Sequence, residues 1–157
     1  MKLKNSVIIA LVQQGISATT AHEVPVKDAY KAFRFKNAVE KANKAIDEKR
    51  PGLIKEAGIE DGQKVDDRIK ELRAIKEPTE EQQKELEEMV EKLKKFNELY
   101  TELLKDESEL EGVKTMPYES YHALAKENKD VNKNLDIFEV FAGELEGVLW
   151  VAPKEEE

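Results

Sequence analysis

From Leu86 to Leu103 the apolar residues Leu86, Met89, Leu93, Phe96, Tyr100 and Leu103 recur at alternating intervals of three and four. That interval keeps them on one side of an α-helix, whereas a strand would send successive residues to opposite faces. Val90, Leu99 and Leu104 broaden the seam, as in a helix that packs on neighbours in its own domain. Thr79 with Gln82 three positions later spells a capping box, and Glu80 and Glu81 suit the positive end of the helix dipole. The spacing therefore predicts a helix over 79–107, roughly 43 Å long at 1.5 Å per residue. Such a rod is only marginally stable alone, so another surface must cover its apolar side.

A second helical pattern supplies that surface. Val24-Pro25 opens it, because proline is tolerated in a first turn and disfavours helix in the residue before it. Phe35, Val39, Ala42 and Ile46 then follow at intervals of four, three and four, one stripe that narrows to alanine. Pro51-Gly52 interrupts the pattern, as a kink or as a break, before Leu53, Ile54 and Ala57 carry it to a stop at Gly58. Val65, Ile69 and Leu72 mark a shorter helix over 63–76, ended by Pro78.

The expected fold is a single, mainly α domain. Its body is a long antiparallel helical hairpin, 26–57 against 79–107, with the 63–76 helix inserted between. Residues 1–24 form an N-terminal cap and loop: Lys2-Leu3-Lys4 as a short strand, then a short helix to Gln14 ended by Gly15. Residues 112–152 form a C-terminal cap. There Val113, Thr115, Met116, Tyr118 and Tyr121 read as extended chain around Pro117. Residues 122–134 read as polar chain, and Leu135–Leu145 as a final short helix. Val148-Leu149-Trp150-Val151 is expected to meet Leu3 in a small β cap, before an acidic tail at 153–157.

Charge and composition then restrict function. The chain of 157 residues is 38% charged and 6% aromatic, with a net charge of −8. Residues 1–50 hold ten Lys/Arg against five Asp/Glu, and the remainder sixteen against twenty-nine. A net acidic chain is poorly suited to non-specific nucleic-acid binding. There is no cysteine for a disulfide or a thiolate metal site. Lys2 and Lys4 before an apolar run, and Thr19-Thr20-Ala21 after it, imitate a signal peptide. The run Val7–Val12 is only six residues long and Gln13-Gln14 cut it off, which argues against secretion. With no membrane-length apolar stretch, the expected setting is that of a soluble, intracellular protein.

The residues of chemistry are sparse. His22 and His122 lie a hundred positions apart, outside any two-ligand helix spacing. Neither a glycine-rich phosphate loop nor a GxSxG elbow is written in the chain. Adjacent carboxylates such as Glu87-Glu88 do not face each other on a helix. The expectation is a non-enzymatic protein with no cofactor and no metal.

Two features remain as candidate binding surfaces. Lys27, Lys31, Arg34, Lys36, Lys41 and Lys44, followed by Lys49 and Arg50, form a basic face with Tyr30, Phe33 and Phe35 interleaved. It reads either as a nucleic-acid-facing helix or as a solvated face balanced by acidic residues of 80–107, and the second reading is favoured because Asp28, Glu40, Asp47 and Glu48 dilute it. Phe138, Phe141 and Trp150 are the candidate anchors for a protein partner, with core packing the favoured role for each.

The stretch Val24-Pro25-Val26-Lys27-Asp28-Ala29-Tyr30-Lys31, a charged helix ending Leu53-Ile54-Lys55, the helix Phe96–Leu104 and the closing Leu145–Trp150 together resemble a family of small, mainly helical proteins of tailed bacteriophages and prophages. The chain departs from that pattern by a long insertion around 59–85. The resemblance implies a phage-encoded, non-enzymatic protein and carries over no catalytic residue. The expected function is thus protein binding, as a virion-associated or tail-assembly accessory factor that contacts another protein or itself. Two other expectations are a nucleic-acid-associated regulator using the basic face 27–50, and an anti-host effector.

Overall fold

The computed structural model describes residues 1–14, 24–132 and 137–153; His22, the loop before it and the acidic tail lie outside them. The fold is mainly α, with two long helices and two small strand pairs. In chain order the elements are β1 (Lys2–Lys4), α1 (Asn5–Gln14), α2 (Val26–Glu56), α3 (Gly62–Ala74), α4 (Glu80–Lys105), β2 (Glu107–Glu109), β3 (Met116–Pro117), α5 (Tyr118–Asn132), α6 (Ile137–Val140), α7 (Ala142–Leu145) and β4 (Trp150–Val151). They gather into two compact units. One comprises Met1–Ile46 with Lys105–Glu157, and the other Asp47–Leu104.

The first unit holds the larger core. From α2 it takes Asp28, Ala32, Phe35, Val39, Ala42 and Ile46, the stripe visible in the sequence with one further turn at its start. Val7, Ile8 and Leu11 of α1 are buried, as are Leu110, Met116, Leu124, Phe138, Leu145 and Leu149. Asn5 is buried as well, and its Oδ1 accepts a hydrogen bond from Ser108 Oγ at 2.7 Å.

Three expectations are corrected in this unit. Leu3 and the 148–151 run do not share a sheet. β1 pairs antiparallel with β2, and β4 pairs parallel with β3. The register explains β1's choice, because it sets Lys2 opposite Glu109 and Lys4 opposite Glu107. Second, the extended chain around Pro117 stops at Pro117 itself, and α5 begins with Tyr118. Buried Tyr121, Leu124 and Ala125 lie on one helix face, a pattern the neighbouring β-prone residues mask. Third, the final helix is two single turns, α6 and α7, separated by Phe141.

The second unit is thin. Its buried apolar residues are Ala57, Ile59, Ile69, Leu72 and Leu103. Asp61 caps α3 by accepting from the backbone N–H groups of Gln63 and Lys64 at 3.1 and 3.3 Å. The Thr79–Gln82 capping box forms reciprocally at the start of α4. α2 runs through Pro51 to Glu56, although proline has no N–H to give the carbonyl four residues back. Its end is a Schellman motif. Ile59 N donates to Ile54 O at 3.0 Å, Gly58 N donates to Lys55 O at 3.0 Å, and Gly58 takes φ +75°, which glycine adopts without steric cost. Lys95 Nζ donates to the Glu56 carbonyl at 2.9 Å, joining α4 to that end. Along the α4 seam only Leu103 is buried; Leu86, Met89, Leu93, Phe96 and Tyr100 are half-buried.

Candidate functional site

Because α2 buries one stripe, residues offset by half a turn must face solvent. Val26, Tyr30, Phe33, Asn37, Lys41 and Lys44 follow one another at intervals of four, three, four, four and three, so they form a second stripe opposite the buried one. Its N-terminal half is apolar and uncovered: Val26 is 88% exposed, Tyr30 56% and Phe33 47%. Two residues on from Phe33, Phe35 is 1% exposed, since two positions move a side chain across the helix. Exposed large apolar residues scattered singly are ordinary, but three in register on one helix face make a patch. The Arg34 guanidinium lies 5.1 Å from the Tyr30 ring centroid, a cation–π contact that orients the ring.

The basic residues do not act as one surface. Lys31 is half-buried and its ammonium lies 2.8 Å from Asp28 Oδ1. Lys36 is 3.9 Å from Glu40, and Lys41 Nζ is 3.0 Å from Glu111 Oε2 across seventy residues of sequence. Lys27 and Lys44 are exposed, and Arg34 is engaged with Tyr30. The hydrogen bond from Lys41, with its charge, holds the Glu111 carboxyl below the usual carboxylate range.

Asp28 is the one buried acid among the described residues. Burial pushes its carboxyl up, but the Lys31 ammonium, the hydrogen bond from Ser120 and the nearby Lys27 charge outweigh that and leave it below its ordinary value. It stands in the first turn of α2, where the helix dipole also favours negative charge.

The three C-terminal aromatics are placed differently from one another. Phe138 is 1% exposed and sits edge-on to Tyr121 at 6.0 Å, so it belongs to the core. The Tyr121 hydroxyl donates to the Phe138 carbonyl. Trp150 is half-buried, stacked on Tyr121 at 5.5 Å and tilted against Tyr118 at 5.0 Å, and its indole N–H donates to Ala142 O at 3.0 Å. With ring and N–H both engaged, Trp150 braces β4 and α7. Phe141 is half-buried at the break between α6 and α7.

Each unit also carries a groove. In the first, a groove of about 570 Å³ is lined by Arg34, Ala38, Lys41, Ala42 and Ala45 of α2 together with Ser108, Glu109 and Glu111, and the Lys41–Glu111 pair joins its two sides. In the second, the groove around Arg68, Glu85 and Met89 is spanned by the fork in which Arg68 Nε and Nη2 each donate to Glu85 at 2.9 Å. That fork lowers the Glu85 carboxyl. Among the described residues no three His, Asp or Glu side chains are gathered to hold a metal ion.

The outward stripe of α2 escapes a reading that follows only the apolar core pattern, although Val26, Tyr30 and Phe33 carry a helical spacing of their own. None of the described helices is long and apolar enough to cross a membrane. No protein-family model, curated protein or solved structure matches the chain.

Proposed function

We propose that this protein works by binding another protein through the outward face of α2, as a non-enzymatic phage-type factor associated with a virion or with the assembly of its tail. The observation that carries the reading is the uncovered run Val26, Tyr30 and Phe33. Aromatic side chains with few rotatable bonds dominate interface energy when a partner's pocket closes on them. Arg34 beside Tyr30 favours a partner surface with acidic residues next to its apolar pocket. Tyr30 and Phe33 anchor, and Lys44, exposed further along the stripe, orients.

The test uses full-length protein carrying photoreactive benzoylphenylalanine at position 33, irradiated with purified particle components or with host extract. The expected result is an adduct to a protein whose purified form binds the wild type and binds the Tyr30→Ser, Phe33→Ser double variant at least about tenfold more weakly. Binding that is indifferent to the double substitution overturns the proposal.

A further inference from the structure

Among the described residues, the hydrogen bonding of β2 leaves one of its edges open, and the chemistry of that edge selects what pairs with it. Leu110 N donates to Met1 O at 2.6 Å, Leu3 stands opposite Ser108, and Asn5 N donates to Asp106 O at 2.8 Å. In an antiparallel pair, residues that exchange backbone bonds alternate with residues that do not. Asp106, Ser108 and Leu110 therefore turn their backbone groups toward β1. Glu107 and Glu109 turn theirs away, and those groups have no hydrogen-bond partner among the described residues. Ser108 and Glu109 also line the groove to which α2 contributes Ala38, Ala42 and Ala45. Two outward N–H groups and two outward carbonyls thus stand beside a groove lined in part by alanines, an arrangement that receives an added strand.

We propose that this edge binds an extended, basic segment of another protein, with a pattern of lysine or arginine, an apolar residue, then lysine or arginine. Glu107 and Glu109 are exposed and project from the same face of β2. An incoming antiparallel strand sets its own residues directly opposite them. β1 already solves the same problem on the other edge, where Lys4 and Lys2 stand opposite Glu107 and Glu109 with Leu3 between them. Pairing with a second copy of β2 would instead set Glu107 against Glu109 twice, acid on acid, which an edge strand uses to avoid its own kind. The middle residue of the guest stands opposite Ser108, which lines the groove together with Ala38, Ala42 and Ala45. Arg34, Asn37 and Lys41 border both this groove and the outward stripe of α2, but Tyr30 and Phe33 do not line the groove, so the variants that test the two surfaces differ.

The probe is the synthetic peptide acetyl-Ser-Lys-Leu-Lys-Ser-amide, titrated into isotope-labelled full-length protein and followed by amide NMR. The expected result is saturable shifts at Glu107 and Glu109 with hydrogen exchange slowed at those two amides, while Asp106, Ser108 and Leu110 keep their protection. The Glu107→Gln, Glu109→Gln double variant is expected to bind at least about fivefold more weakly, and a peptide with glutamate in place of both lysines is expected not to bind the wild type. The glutamate peptide keeps the proposal testable if the double variant fails to fold. Absence of saturable shifts at Glu107 and Glu109, equal binding of the two peptides, or lost protection at Asp106 and Ser108 through displacement of β1 would each overturn it.

Discussion

Ser120 Oγ donates to Asp28 Oδ2 at 2.8 Å, a buried hydrogen bond between side chains 92 residues apart in the chain. It ties the start of α5 to the first turn of α2, the turn that carries Val26 and leads into Tyr30. The carboxylate is held on its other side by Lys31. A buried charge is tolerated only when it is paired and hydrogen-bonded, and Asp28 meets both conditions.

Ser120→Ala removes the donor and leaves a buried carboxylate oxygen unsatisfied, so it is expected to cost about 1–3 kcal/mol in urea unfolding. The pH dependence follows from the lowered Asp28 carboxyl. Near and just below the ordinary carboxylate value the unfolded chain binds the proton that the folded chain still refuses. Stability from this group is therefore complete above that value and is lost as pH falls through the lower, folded-state value. Asp28→Asn should flatten that part of the acid limb; an unchanged acid limb would show that Asp28 is not the titrating group.

Phe33 and Phe35 make a controlled pair, since they share residue type and helix and differ in face. Phe35→Ala is expected to destabilise by about 3–5 kcal/mol. Phe33→Ala should stay within about 0.5 kcal/mol, as for a surface position. Chemical denaturation of the two variants measures both, and equal losses would contradict the outward stripe.

In the second unit, charge introduced along α4 should report the depth of its seam. Leu103 is buried and Leu93 only half-buried. Leu103→Asp is expected to destabilise more than Leu93→Asp, the half-buried site leaving the new carboxylate a path to water. Comparing their urea midpoints settles the order.

The Arg68–Glu85 fork predicts a charge-swap cycle. Arg68→Glu and Glu85→Arg should each lower the melting temperature of the α3–α4 pairing, and the double variant should recover part of the loss. Both groups are more than a third exposed, so added salt should shrink the whole cycle. Loss that persists in the double variant at low salt would mean that packing, and not the ion pair, joins these helices.

Where a pattern repeats within a turn or two of chain, it was legible before folding. The seam from Leu86 to Leu103, the Thr79–Gln82 box, the stop at Gly58 and the stripe from Phe35 to Ile46 all depend on residues a few positions apart. Their geometry is that of the helix itself, so spacing alone determined them and with them the mainly α class. Three kinds of outcome needed the tertiary structure. Short strands were one: β2 lies in an acidic run, and three residues carry no period strong enough to announce a strand. Partners were another, because Asp28 meets Ser120 and Lys41 meets Glu111 across distances no local spacing encodes. Exposure was the third. Phe138 and Trp150 look alike as aromatic residues near the C-terminus, yet one is enclosed and the other half-covered. Burial is a property of what the rest of the chain brings alongside, and that is decided only when distant segments meet.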